Sequence, residues 1–288
     1  MSTDTLHPTQ AADSPRRGGG GLTAVAPLAA TEFRLLTREW AAMLFAFVFP
    51  PLMFVVLAGV FGDQPDEGFG GVKPSDYYVA AYIGIPLGAL ALVGLPVMVA
   101  SYRERDVLRR FEAFGVPTRL VVTAQALVTC GLVVLAAALV LAVATPTYGV
   151  PAVEDPVRTL SGFVLGTVTM VVLGVALGLA VRTARSAQAL GMLAFLPMWL
   201  LGGGGPPREV LSDSMARVSD LLPLWHVTAA IREPWLGTDS GSGHLLVLAG
   251  WLAAGLVAVG LLLRRRSDKK LSVDSRHRRR GFTDNCRA

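Results

Sequence analysis

The chain has 288 residues, of which 52% are hydrophobic and only 16% charged, and its mean hydropathy is +0.52. A soluble domain carries about 25% charged residues, so this composition excludes an ordinary soluble protein and points to a multispanning membrane protein. The net charge of +5 comes from basic residues that flank apolar runs, which assigns them to membrane orientation and not to nucleic acid. Only two cysteines occur, Cys130 and Cys286, so neither a disulfide framework nor a cysteine metal site is encoded.

Residues 1–21 are polar and rich in Pro, Gly and Ser, with no apolar run of the signal-peptide kind. Residues 1–30 read as a disordered cytoplasmic tail. Over residues 31–40, charged and apolar residues alternate at helical spacing. Phe33, Leu36 and Trp40 share one face, while Glu32, Arg34, Arg38 and Glu39 project elsewhere. This fits an amphipathic helix in the membrane interface, or equally the cytosolic extension of the next span.

Six apolar runs suited to spans follow, at residues 41–61, 78–101, 119–145, 157–181, 187–201 and 245–263. Pro50 and Pro51 sit near the middle of the first, and Pro86 and Pro96 interrupt the second. Neighbouring helices in a membrane tolerate such kinks. Gly84/Gly88, Gly162/Gly166 and Gly174/Gly178 form GxxxG pairs, a spacing that lets helices approach closely. The fifth run is short for a crossing and stops at four glycines, 202–205, and two prolines, 206 and 207. Residues 208–243 mix polar and apolar positions, are broken by Pro223 and Pro234, and carry Trp225 and Trp235. They predict a helical re-entrant or interfacial segment. The expected fold is an all-α membrane protein with six transmembrane helices over residues 31–266, followed by a basic tail, 267–288, read as disordered.

The arginines fix the orientation. Arg16, Arg17, Arg34, Arg38, the arginines of residues 102–117, Arg182, Arg185 and the C-terminal cluster fall on one side. Lys73, Arg158, Arg208, Arg217 and Arg232 fall on the other. The positive-inside rule then places both termini in the cytoplasm.

The most charged stretch between two apolar runs is 102–117, YRERDVLRRFEAFGVP. Arginines alone would enforce topology. The interspersed acids Glu104, Asp106 and Glu112, and the apolar Val107, Leu108, Phe111 and Phe114, point to a helix that docks a partner. Hydrated charges would pair with its surface while apolar side chains anchor. The expected docking set is Arg103, Glu104, Arg105, Asp106, Val107, Leu108, Arg109, Arg110, Phe111, Glu112, Phe114 and Pro117.

Chemistry of its own is not apparent in the chain. None of the three lysines, Lys73, Lys269 and Lys270, stands in a phosphate-binding P-loop. The apolar runs hold essentially no Asp, Glu or His for a proton relay. His226 beside Trp225 reads as a structural interfacial histidine. Ser242 and His244 lack an acid partner and a nucleophile elbow, so they read as flexible loop. A gradient-driven secondary transporter or channel that works without an ATPase, and a scaffold assembling through its GxxxG faces, are the competing classes.

The run YRERDVLRRFEAFGVPTRLVVTAQ resembles the cytoplasmic loop after the second helix of ABC-2 type transporter permeases, through Glu104, Arg105, Val107, Leu108, Phe111, Pro117 and Gln125. Asp106-Val107 replaces the Gly-Thr common there. RTARSAQALG is similar to the family's short loop between the fourth and fifth helices. Pro207, Arg208, Glu209, Pro223 and Arg232 match its segment before the last helix, with Ser212 where a second Pro is usual. The resemblance spans about residues 31–266 and is nearest to daunorubicin-resistance-type drug-efflux permeases. It implies a non-enzymatic subunit of an exporter. The partners would be two ATP-binding subunits, which hold the ATP and Mg, and a second permease copy, identical or closely paralogous. It also implies that Arg182, Arg185, Ser186 and Gln188 form a second docking loop, and that Phe33, Leu36 and Trp40 lie on a connecting interface helix. Hydrophobic or amphipathic cargo would pass between the two copies, along the first, second and fifth helices. The expected location is the plasma membrane. The excess of Arg over Lys, with the Ala, Gly and Val content, suggests a bacterium with a GC-rich genome.

Overall fold

A computed structural model describes residues 44–238 and 241–285, with side chains described through Arg264 except for Phe45. The expected interface helix bearing Phe33, Leu36 and Trp40, and the tail 1–30, lie outside the described residues. Those described are helical, with no strand among them. In chain order they form α1 (Phe49–Phe61), α2 (Pro74–Ala89), α3 (Leu95–Glu104), α4 (Val107–Ala113), α5 (Thr118–Thr147), α6 (Pro156–Ala180), α7 (Ala184–Trp199), α8 (Asp213–Ser219), α9 (Pro223–Leu236) and α10 (Gly243–Asn285).

Five helices are long and apolar enough to cross a membrane: Glu67–Glu104, Thr118–Thr147, Pro156–Ala180, Ala184–Gly204 and Gly243–Arg264. The sequence predicts six. The first apolar helix, Ala46–Phe61, is shorter than a span among the described residues. The fifth run, expected to be short, gains length at both ends. It starts at Ala184 under a cap described below, and a wide π-type turn, Leu200–Gly204, extends it to 21 residues. The backbone of α10 stays helical to Asn285, past the expected end of the last span at Leu263.

Prolines shape these helices differently from the reading above. Pro50 and Pro51 stand in the first turn of α1, directly after a wide helical turn, Leu44–Val48. Pro86 and Pro96 flank another wide turn, Leu90–Gly94, that joins α2 to α3 in one rod. Pro96 cannot donate to the Leu92 carbonyl and its ring crowds that carbonyl, so the turn widens.

This rod is the centre of the molecule: 94% of its most apolar stretch is buried by the rest of the chain, against 11% for Gly243–Arg264 at the periphery. The neighbours reach it through glycine. A Cβ on Gly174 of α6 would overlap the Ala91 carbonyl oxygen, and one on Gly191 of α7 would overlap that of Leu92. Gly178 lies on Pro96 and Val99. The turn that Pro96 forces therefore turns its carbonyls toward the two places where flanking helices lack side chains.

The other two glycine pairs clamp α9. Gly84 meets Thr228 and Ile231, and Gly88 meets Leu224. Gly162 sits on the Ala230 backbone, and Gly166 on Val227. The GxxxG faces thus work as close-contact faces within one chain, which weakens the scaffold class that would use them between chains. As a result α9 is a core helix, buried at every position but Glu233 and Leu236. Of the two forms expected for 208–243, re-entrant or interfacial, burial by protein is what the re-entrant form requires. Trp225 and Trp235 face protein and not a lipid boundary. Trp225 lies 5.2 Å from both the Arg208 and Arg232 guanidinium groups, and Trp235 Nε1 donates to the Pro151 carbonyl at 3.1 Å.

Gly174→Ala and Gly191→Ala should each cost about 1–3 kcal/mol, because carbonyl and helix must separate. Gly131→Ala, whose Cβ meets nothing within 4 Å, should be neutral or stabilising. Thermal unfolding of the three variants in detergent checks this.

Candidate functional site

The charged stretch forms a short helix, α4, fixed at both ends. Asp106 takes a left-handed φ of 56° and turns the chain out of α3, a conformation that Asp tolerates better than most residues. At the other end Gly115 (φ 82°) donates its N–H to the Glu112 carbonyl, and Val116 donates to that of Phe111. This pair of bonds is the Schellman arrangement, which satisfies orphan carbonyls. Thr118 Oγ1 donates to Glu112 Oε1 at 2.6 Å, tying α4 to the start of α5.

The predicted docking residues divide into two groups. Arg105, Asp106, Arg109, Arg110, Phe114 and Pro117 are exposed. Phe114 is 86% exposed, a large aromatic side chain left uncovered beside arginines. Asp106 and Arg109 lie 3.9 Å apart on this open surface, a spacing that leaves both available. Val107, Phe111 and Glu112 are half-buried. Leu108 is only 7% exposed. It anchors α4 inward, so the expectation that it fills a partner's pocket is corrected: its apolar surface is already covered.

Arg103, half-buried, and Glu104, exposed, make contacts away from α4. Arg103 Nη1 donates to the carbonyls of Gly178 and Leu179, at 2.9 Å each, and to that of Val181. These are the terminal carbonyls of α6, which lack partners within their own helix. Glu104 Oε2 accepts the Ala184 N–H at 2.9 Å, the first residue of α7. A cation thus sits at one helix C-terminus and an anion at the next N-terminus, each complementing the helix dipole.

The second predicted loop, between α6 and α7, is therefore bound to the first. Thr183 caps α7: its Oγ1 accepts the Ser186 N–H at 3.1 Å, and its own N–H donates to Ser186 Oγ at 3.3 Å. Ser186, predicted as a docking residue, is a capping residue here, while Arg182, Arg185 and Gln188 are exposed. The Thr-x-x-Ser spacing at 183–186 is the signal in the sequence that would have identified this cap.

The far end of the bundle carries a polar cluster that sequence reasoning did not assemble. Arg208 holds Asp220 through two contacts, of 2.6 and 2.9 Å. Buried Arg232 lies 4.3 Å from the Tyr77 ring, and its Nη2 is 3.7 Å from Glu233 Oε1. The glycine turn is pinned by Tyr78 Oη donating to Gly205, Tyr82 Oη to Gly204 and Thr228 Oγ1 to Gly202 carbonyls. His226 is structural, as expected, but buried. Its Nε2 lies 2.8 Å from the Asp220 carbonyl and its Nδ1 lies 2.9 Å from His244 Nδ1. A carbonyl only accepts, so Nε2 carries the proton. Burial, chiefly, holds the His226 imidazole below its ordinary range and keeps it neutral, so its Nδ1 accepts from His244. His244 Nε2 lies 3.3 Å from Glu233 Oε1.

Residues 24–234 match one family model, described as ABC-2 type transporter. Among curated proteins no relative matches.

Leu108→Ala should cost about 2 kcal/mol or more, whereas Phe114→Ala should change stability by less than about 0.5 kcal/mol; paired denaturation curves separate the two. The His226 imidazole is held below 6.5 by burial, so the unfolded chain binds the proton more readily than the folded one. Stability from this group is complete above about pH 6.5 and falls as pH drops through that value. Melting temperature should decline on acidification, and His226→Gln should flatten part of that decline.

Proposed function

Because this chain belongs to the ABC-2 type transporter family, we propose that it is the membrane-spanning subunit of an ATP-driven exporter, with α4 as the surface that receives the ATP-binding subunit. The family is a transmembrane permease domain without an ATPase site of its own, and this chain is a multi-pass membrane protein. ATP binding therefore falls to a partner. In the finer reading, two copies of this chain, or this chain and a close paralogue, work with two ATP-binding subunits in the plasma membrane. Both termini and α4 face the cytoplasm. The cargo is hydrophobic or amphipathic (drug, antibiotic or lipid-like), as for an efflux permease of the daunorubicin-resistance type.

The observation that carries the docking surface is Phe114. It is 86% exposed at the end of a helix closed by a Schellman arrangement. Leaving an aromatic ring of this size in water forgoes about 2 kcal/mol of burial, which a partner's pocket would recover. Around it Arg105, Asp106, Arg109 and Arg110 offer charges of both signs for register and steering. Arg182, Arg185 and Gln188 extend the same surface across the second loop, because Glu104 and Arg103 hold the two loops together.

Co-purification with a cassette ATPase tests this directly. The wild-type chain should retain the ATPase. The variant Phe114→Asp with Arg109→Glu and Arg110→Glu should lose at least about tenfold in affinity with an unchanged melting temperature. Undiminished binding by this variant would remove α4 from the interface, and transport by the chain alone under an ion gradient would refute the exporter reading.

A further inference from the structure

Arg103 and Glu104 do more than hold the charged stretch in place. We infer that the dipeptide Arg103-Glu104 is the positioning element that joins the docking helix to α6 and α7, so that displacement of α4 moves these two helices with it. For its direction of action this inference rests on the docking reading above.

The geometry is specific. α3 and α4 are separated only by Arg105 and Asp106, and Asp106 takes the left-handed conformation, so the connection has little slack. Arg103 Nη1 reaches three carbonyls at the end of α6. Its neighbour Glu104 reaches the first N–H of α7. The turn between those helices, residues 181–183, is itself closed by the Thr183–Ser186 cap. One dipeptide therefore binds both sides of the turn between α6 and α7, and it does so at the base of α4.

Each charge is matched to the helix end it meets. A guanidinium offers several donors in a planar fork and suits the C-terminal carbonyls, which only accept. A carboxylate suits the N-terminal N–H groups, which only donate. Reversing the order of the two residues would place each charge against the wrong end. The unit continues into the bundle. α6 packs on α3, α9 and α10, and α7 packs on α3. Gly174, Gly178 and Gly191 set α6 and α7 in backbone contact with the central rod. A push on α4 therefore meets a closed block of α3, α6 and α7, which turns as a whole.

Spin-label distance measurements on the full chain in lipid nanodiscs test this, with Cys130 and Cys286 replaced by Ser. Labels go at Ala113→Cys on α4 and Ala189→Cys on α7, both exposed, and at exposed Leu246→Cys near the start of α10 as a reference. In the permease alone, the 113–189 distance should be narrowly distributed, and Arg103→Ala with Glu104→Ala should broaden it at least about twofold. Arg103→Lys should restore it in part, since an ammonium still donates to carbonyls. Glu104→Gln should stay narrow, because the amide oxygen still accepts from Ala184. An unbroadened distribution in the double alanine variant overturns the inference, provided the melting curve shows the variant folded; if it does not fold, the same comparison is made between Arg103→Lys and Arg103→Met.

With the cassette ATPase bound, ATP and vanadate should shift the 113–246 and 189–246 distances together in the wild type. In the double variant, measured at an ATPase concentration that saturates binding, only 113–246 should shift. Joint movement in the variant overturns the inference. Failure of the wild type to bind any cassette ATPase counts against the docking reading and leaves the measurement on the permease alone to decide this one.

Discussion

The structure depends on backbone meeting backbone at the wide turn before Pro96. The central rod is almost wholly enclosed, and helices of about 10 Å diameter can enclose another so closely only where side chains are missing. Gly174 and Gly191 supply those gaps opposite the Ala91 and Leu92 carbonyls. In lipid there is little hydrophobic gain from bringing apolar helices together, so contact distance and backbone polarity decide packing. A carbonyl that Pro96 deprives of its helical donor and that lies against a neighbouring Cα keeps a weak C–H donor close by. Proline and glycine, the two residues poorest at forming helices, thus determine how these helices fit.

Much of the architecture was legible because membrane physics is blunt. Apolar length marks spans, glycine spacing marks close faces, and the charged stretch at 102–117 marks an aqueous end. What was not legible depends on direction. Nothing in the order Arg103, Glu104, Arg105, Asp106 tells which charges turn back to cap α6 and α7, because the helix ends they meet are some 75 to 80 residues away in sequence. Leu108 and Phe114 look alike as anchors until the twist of α4 turns one inward and leaves the other uncovered. Trp225 and Trp235 suggested a lipid boundary, yet their rings are covered by arginines and by the linker at Pro151. The first expected span, 41–61, differs for another reason: its helix, Ala46–Phe61, begins close to where the described residues begin.

Both ends of the bundle handle charge differently. At the α4 end, Arg103 and Glu104 sit at helix termini and stay partly hydrated, each held by the dipole it complements. At the far end, Arg232 is buried between aromatic faces, and Glu233, His244 and His226 follow in a hydrogen-bonded string down to Asp220. Such a string is stable only when every member is present.

The enclosure of α9 also bears on how the chain is assembled. A helix clamped on Gly84 and Gly88 from one side and on Gly162 and Gly166 from the other has no face of its own to offer lipid, and its Arg232 would be costly there without Tyr77 and Trp225 around it. Synthesis runs from the N-terminus, so α2 and α6 leave the ribosome first and their glycine-lined slot exists before α9 emerges. The last span, α10, then arrives as the lid that keeps α9 in that slot, which makes the order of the helices along the chain part of the folding mechanism.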